Sequence, residues 1–163
     1  GTRDCELSRG SEMCIRDRES MVLDIGTGSG CLAVSVAVHA EETTIHALDI
    51  STAAINVARA NAERHGVAER IIFHEGDARV ALPGTCLFDV IVSNPPYSPS
   101  AEIESLQIEV RDHDPRLALD GGLDGLEFYR SLAISCLSRL RSDGRLLLEV
   151  GAVSYTHLTL PTS

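Results

Sequence analysis

The chain reads as an α/β domain built on a parallel sheet, and three observations carry that reading. Short apolar strands alternate with helical segments along residues 21–151, a pattern that implies right-handed crossovers between parallel strands. One strand runs into a glycine-rich turn, and another ends in the rigid tetrapeptide Asn94-Pro95-Pro96-Tyr97. Both turns fall at the C-terminal ends of strands, the edge where open α/β sheets place their ligands.

The first strand, from Val22, leads into Gly26-Thr27-Gly28-Ser29-Gly30, and Leu32 to Ala40 is apolar enough for a buried helix. Glycine turns the backbone sharply and lets a ligand approach without a Cβ in the way. A dinucleotide fingerprint wants glycine at its sixth position, where Cys31 stands, read here as a small buried hydrophobe. Asp24 would repel a pyrophosphate but suits a cationic ligand, such as the ammonium and sulfonium of S-adenosylmethionine. The second strand, Thr44 to Asp49, ends in an acid 23 residues after Gly26, about the spacing at which a carboxylate meets ribose hydroxyls. Ser51 is the better cap for the next helix, Ala53 to Arg64, which shows Ile55, Ala58 and Ala62 on one face and stops at Gly66.

The third strand, Ile71 to Glu75, leads to Gly76-Asp77. Asp77 reads either as an acceptor for an adenine amino group or as an ordinary turn aspartate. The fourth strand, Phe88 to Ser93, delivers the Asn-Pro-Pro-Tyr turn. Two consecutive prolines continue neither a strand nor a helix, so the turn is stiff. A stiff turn holds the Asn94 amide and a backbone carbonyl in fixed directions as acceptors for a planar NH2 group, with Tyr97 as a ring to pack on. The tetrapeptide taken alone also reads as a plain tight turn. A long helix is expected over 123–141 with Leu126, Ala133, Leu137 and Leu140 on its inner stripe. Asp143-Gly144 then turns into a fifth strand, Arg145 to Val150. Residues 98–122 are expected to form a partly ordered flap over the pocket, with Arg111, Asp114 and Arg116 engaged in ion pairs within it or with a protein substrate.

These residues, with Asp114-Pro115-Arg116-Leu117-Ala118-Leu119 and Asp120-Gly121-Gly122-Leu123-Asp124-Gly125-Leu126, resemble the HemK/PrmC methyltransferases over about residues 21–151. That family methylates the side-chain nitrogen of the glutamine in the Gly-Gly-Gln motif of class-one peptide release factors. The resemblance implies a class I S-adenosylmethionine-dependent methyltransferase fold, Rossmann-like, with strand order 3-2-1-4-5 and the family's C-terminal strands missing. It implies that Asp24, Gly26, Thr27, Gly28, Ser29, Gly30, Asp49, Asp77 and Asn94 bind S-adenosylmethionine, with S-adenosylhomocysteine as product. Asn94, Pro95, Pro96 and Tyr97 would form the catalytic turn. Some members carry an aromatic after the third-strand Asp that packs on adenine; Ala78 stands here, which leaves that side less tightly held.

The residue types suggest how the chemistry runs. The sulfonium methyl is already electrophilic, so alignment matters more than acid–base catalysis. An amide nitrogen is a poor nucleophile because its lone pair is delocalised. Asn94 Oδ1 and the Pro95 carbonyl, accepting its two N–H groups, would orient it and favour the developing positive charge.

Composition sets the remaining bounds. A chain of 163 residues has room for one domain with a real core. The net charge of −10 argues against a nucleic-acid backbone as partner, which matters because Asn-Pro-Pro-Tyr also serves adenine-N6 DNA methyltransferases. The five cysteines lack metal-ligand spacing, so no metal site is expected, and no apolar stretch approaches a membrane span. A cytoplasmic monomer acting on a release factor is the expectation. A ribosomal-protein glutamine, an adenine base, or a catalytically inactive fragment are the alternatives. Residues 1–20 and 152–163 are unpatterned or unlike the family and read as non-native tails, with a truncated catalytic domain between them.

Overall fold

A computed structural model describes residues 19–105 and 116–150. Five parallel strands form one sheet: β1 (Ser20–Ile25), β2 (Thr43–Asp49), β3 (Ile71–Glu75), β4 (Phe88–Ser93) and β5 (Leu140–Leu148), in the order β3-β2-β1-β4-β5. This is the expected order and the class I methyltransferase topology. Helices α1 (Cys31–His39) and α2 (Thr52–Arg64) connect the first three strands. A short helix, α3 (Arg116–Leu119), and α4 (Glu127–Leu137) lie between β4 and β5.

The sheet buries both faces. On one, Val22, Ile45, Ala47 and Ile71 pack with Ala33, Val34 and Ala37 of α1 and Ala62 of α2. On the other, Leu23, Ile25, Leu48, Phe88 and Ile91 pack with Leu132 and Cys136 of α4. The period-two split is why these strands read as continuous apolar runs in the sequence. Helix α2 behaves as expected: Ser51 Oγ accepts from the Ala54 N–H at 3.3 Å, Ile55, Ala58 and Ala62 are buried, and Gly66 past its end takes φ +68°.

Four expectations need correction. Helix α4 buries Tyr129, Leu132 and Cys136, whereas Leu137 is 72% exposed and Leu140 opens β5. The helix cannot begin at Leu123, because Gly122 and Gly125 adopt φ +88° and +72°, and the expected stripe left out Tyr129, whose hydroxyl donates to the Glu149 carbonyl at 2.8 Å. Cys31 is exposed rather than buried, since it opens α1 while Ala33, Val34 and Ala37 face the sheet. The fifth strand runs Leu140–Leu148 rather than Arg145 to Val150: its pairing jumps from Phe88–Leu140 to Val90–Arg145, so the residues between, Asp143-Gly144 among them, stand opposite Asp89 as an irregularity within the strand. Ser20, assigned above to the tail, pairs with Thr43 as the first residue of β1.

The stretch after β4 is tied down at both described ends. Ser98 bridges Asp120 in parallel, Ser100 Oγ donates to Asp120 Oδ1 at 2.5 Å, and Arg116 pairs with Glu104 at 3.5 Å. The Arg116 ion pair therefore lies within the flap. Arg111 and Asp114 fall outside the described residues, as do residues 1–18 and 152–163 of the expected tails and Gly151 of the expected domain.

Candidate functional site

Register brings the expected residues to one edge. Ile25 pairs with Leu48 on one side and Ser93 on the other, and Asp49 pairs with Glu75. The glycine loop, Asp49, Gly76-Asp77 and Asn94 therefore leave the sheet side by side at its C-terminal edge. Ser93, only 2% exposed, donates through Oγ to the Ile25 carbonyl at 2.8 Å and locks the two central strand ends together.

The glycine loop folds back on the sheet. Gly26 and Thr27 donate their N–H groups to the Leu48 carbonyl at 2.8 and 3.0 Å. Gly26, Gly28 and Gly30 take φ +71°, +55° and +77°, which a side chain would strain. A Cβ on Gly30 would come 2.8 Å from Ala58 Cβ, so this glycine lets the loop seat against α2, where Asn61 Nδ2 also donates to the Ser29 carbonyl at 2.9 Å. A Cβ on Gly26 would meet nothing within 4 Å, and one on Gly28 only the loop's own Gly26 carbonyl at 4.0 Å. Those two positions face open space bounded by backbone, the shape a ligand cradle needs.

Two carboxylates bond this loop. Asp24 is 4% exposed and accepts from Thr27 Oγ1 at 2.7 Å. Burial pushes its carboxyl above the usual range; the Thr27 bond and the Ala33 N–H oppose this, and the charge of Asp49 adds to it. Asp49 accepts from the Gly28 N–H through Oδ2 and the Ser51 N–H through Oδ1, each at 2.9 Å. Asp49 is thus a brace of the loop as well as a candidate ligand group. A buried acid with a second acid beside it fits a cationic ligand and opposes an anionic one.

Asp77 is occupied differently. Its oxygens take the Arg79 Nε at 3.0 and 3.1 Å, Nη2 at 2.8 Å and the Arg79 N–H at 2.9 Å, and Arg79 holds the carboxyl below its ordinary range. The Arg79 guanidinium also lies 5.2 Å from the Phe128 ring centre. An adenine amino group would share Asp77 with Arg79, a competitor absent from the sequence reading.

On the other side of the edge, Asn94 is exposed and its amide has no hydrogen-bond partner among the described residues, while Pro95 is buried and Tyr97 is 39% exposed. The turn is backed by residues 120–125, quoted in the sequence only as part of a resemblance. Gly121 donates to the Ser98 carbonyl at 2.8 Å, and its missing Cβ lies 2.8 Å from the Pro96 carbonyl oxygen and 2.9 Å from Tyr97 Cα. The described residues hold no group of three or more His, Cys, Asp or Glu arranged to bind a metal ion.

The model of the methyltransferase small domain matches residues 8–121, which contain both turns. The chain belongs to that family. Among curated relatives, it is 48% identical over 130 residues to the release factor glutamine methyltransferase of Geobacter sulfurreducens, covering 80% of this chain and 45% of that protein. It is 42% identical over 130 residues to the ribosomal protein uL3 glutamine methyltransferase of Bradyrhizobium diazoefficiens, covering 80% and 40%. The chain therefore spans less than half the length of these relatives. The structure is similar to an S-adenosylmethionine-dependent methyltransferase from Geobacter sulfurreducens solved with S-adenosylhomocysteine, at a TM-score of 0.51 and 20% identity, covering 86% and 45%, a likeness of fold. For a methyltransferase small domain, the signals missed in the sequence are instructive. Ser93 and Asn61 act through backbone carbonyls, which leave no motif. Gly121 and Gly125 were visible as a glycine-dense run, but what they touch was not.

Proposed function

We propose that this domain transfers a methyl group from S-adenosylmethionine to the side-chain amide nitrogen of a protein glutamine, with the Gly-Gly-Gln glutamine of a class-one release factor as the substrate. The observation that carries the reading is the juxtaposition at one sheet edge of a glycine cradle with two acids and an unpartnered Asn94 on a proline-stiffened turn. The donor, when bound, supplies a sulfonium-activated methyl.

The chain's own residues supply binding and alignment. Gly26 to Gly30 shape the cradle, Asp24 faces the donor's positive charge, and Asp49 accepts from the ribose hydroxyls. Asn94 Oδ1 and the Pro95 carbonyl accept the two N–H groups of the glutamine amide and aim its nitrogen at the methyl. The donor would supply the methyl and keep the electron pair of its S–C bond, while the nitrogen held by Asn94 and the Pro95 carbonyl would give one proton to solvent. Pro95, Pro96 and Tyr97 bound the acceptor pocket. Asp77, shared with Arg79, is the adenine-side acceptor, and Ala78 adds no ring there.

The names of the relatives support a glutamine acceptor. The resemblance to the Bradyrhizobium protein keeps a ribosomal-protein glutamine as a second reading. The net charge of −10 disfavours a DNA adenine. The enzyme acts as a cytoplasmic monomer, and no described helix is long and apolar enough to cross a membrane. The catalytic part is read as including β1 from Ser20 and running through β5. The test is mass spectrometry of a release factor and a uL3 protein after incubation with donor and a complete chain carrying this domain. One added methyl on the Gly-Gly-Gln glutamine is expected, and methylation of uL3 alone would favour the second reading.

A further inference from the structure

We infer that Gly121 and Gly125 are positioning residues for the acceptor turn: lacking side chains, they let the 120–125 segment press on the Pro96–Tyr97 backbone and fix where Asn94 and the Pro95 carbonyl point. The inference rests on the reading of Asn94–Tyr97 as the acceptor turn. Its ground is a contact between two pieces of backbone. A Cβ at Gly121 would lie 2.8 Å from the Pro96 carbonyl oxygen and 2.9 Å from both Tyr97 Cα and Gly125 Cα. A Cβ at Gly125 would collide with the Tyr97 carbonyl oxygen. These atoms belong to the main chain, so no side chain can swing aside to make room.

The conformation of the two glycines separates the causes. Gly125 takes φ +72°, which by itself favours glycine. Gly121 is not among the glycines with positive φ, so what requires it to be bare is contact, with the Pro96–Tyr97 backbone and with Gly125 Cα.

Neither surface can retreat. Behind the contact, Ser98 donates to the Leu119 carbonyl at 3.0 Å, Ser100 to the Gly122 carbonyl at 2.9 Å, and the Gly122 N–H to Asp120 Oδ1 at 3.1 Å. Glu127, the first residue of α4, donates its N–H to the Gly121 carbonyl at 3.2 Å, and α4 is anchored by the fully buried Leu132 and Cys136. In front, Pro95 and Pro96 are stiff. A methyl group inserted between two such surfaces shifts the turn, and with it the acceptors immediately upstream. The glycine loop, braced by Asp49, Asn61 and Leu48, takes no part in this contact. Misplacing an aligned acceptor by about 1 Å costs roughly 10²-fold in rate.

The experiment is Gly121→Ala, read by nuclear magnetic resonance and calorimetry on this chain and by kinetics at the equivalent position of a complete family member. The expected result is displaced signals from the Asn94 carboxamide and Tyr97 amide, with the Gly26, Gly28 and Gly30 amides unmoved. Affinity for S-adenosylmethionine should stay within about threefold and kcat should fall at least tenfold, with the donor KM unchanged. Gly66→Ala is the control: it strains a φ of +68° but meets nothing within 4 Å, and it should leave Asn94 and Tyr97 alone. Should Gly121→Ala fail to fold, Asp120→Ala removes the anchors to Ser100 and Gly122 without inserting an atom. It should broaden the same two signals and lower kcat several-fold at constant donor affinity. Unmoved Asn94 and Tyr97 signals, or donor affinity falling in step with kcat, would overturn the inference. Full turnover by Asn94→Ala would instead overturn the acceptor-turn reading, and with it the functional half of this one.

Discussion

The two halves of the candidate site are held by different physics. The glycine loop takes its shape from positive φ angles and from polar side chains that reach it: Asp24 to Thr27, Asp49 to Gly28 and Asn61 to Ser29. The Asn94 turn takes its shape from proline stiffness and from bare backbone pressed on bare backbone at Gly121 and Gly125. Hydrogen-bonded loops can lose one brace and persist. A turn held by steric contact has no such tolerance, and a single methyl is enough to move it. The difference suits the two proposed tasks: a donor loop offers its backbone to a ligand, whereas an acceptor turn presents two oxygens in one direction.

The largest expected effect breaks the acceptor half alone. In a complete chain of the family, replacing Asn94 by Ala should lower turnover by roughly 10²-fold or more, as loss of a transition-state hydrogen-bond partner does. Donor affinity should fall far less, and equal losses in both would make Asn94 a donor ligand. The next breaks the donor half. Asp49→Ala removes two charge-assisted bonds to a ribose, each worth about 1.5–3 kcal/mol, and frees the Gly28 N–H as well. Calorimetry should register at least a tenfold weaker S-adenosylmethionine, with the circular dichroism of the fold intact.

Asp24→Asn should set stability against binding. Burial raises the folded-state pKa of Asp24, so its contribution to stability is present below the unfolded carboxyl's range and lost as pH rises through the folded value. Ionising Asp24 as pH rises therefore costs the fold stability. The variant should melt at a higher temperature than the parent at pH 7, with the gap closing on acidification, while donor affinity drops. A lower melting temperature at pH 7 would mean that Asp24 is a structural cap first.

The smallest effect lies away from the edge. His74 Nε2 and His46 Nδ1 are 2.9 Å apart with stacked rings, and His46 is edge-on to Phe88. Burial lowers both folded-state pKa values, and for His46 the charges of His74 and Arg139 add to it. Unfolded imidazoles take up protons below about 6.5, so stability should be full above that pH and fall beneath it. Urea midpoints at pH 7.5 and 5.5 should differ more for the parent than for His46→Leu. Donor affinity should not follow this change.

The same contrast explains what the sequence disclosed. The strands themselves, the Ser51 cap and the shared edge were legible because local patterns encode them: short apolar runs, a cap residue, and turns after strands; the strand order followed from the family resemblance. The donor braces were half legible, since Asp49 announced itself by spacing but Asn61 bonds a carbonyl that any residue could offer. The backing of the Asn94 turn comes from residues some 25 positions downstream and depends on absent atoms, which no spacing rule reads. The α4 stripe was misplaced for a related reason. Gly122 and Gly125 end the preceding loop with left-handed turns, so the helical phase is set by Tyr129 and not by the first leucines. Cys31 was misjudged because apolar neighbours suggest burial, while helix phase turns it outward.

The central claim is that one sheet edge carries a donor cradle and a separate acceptor turn. Its most direct test is a calorimetric titration of S-adenosylmethionine into the parent chain, Asp49→Ala and Asn94→Ala side by side. The account predicts measurable binding to the parent, at least tenfold weaker binding to Asp49→Ala, and a much smaller loss for Asn94→Ala. No binding to the parent, or equal losses in the two variants, would contradict it.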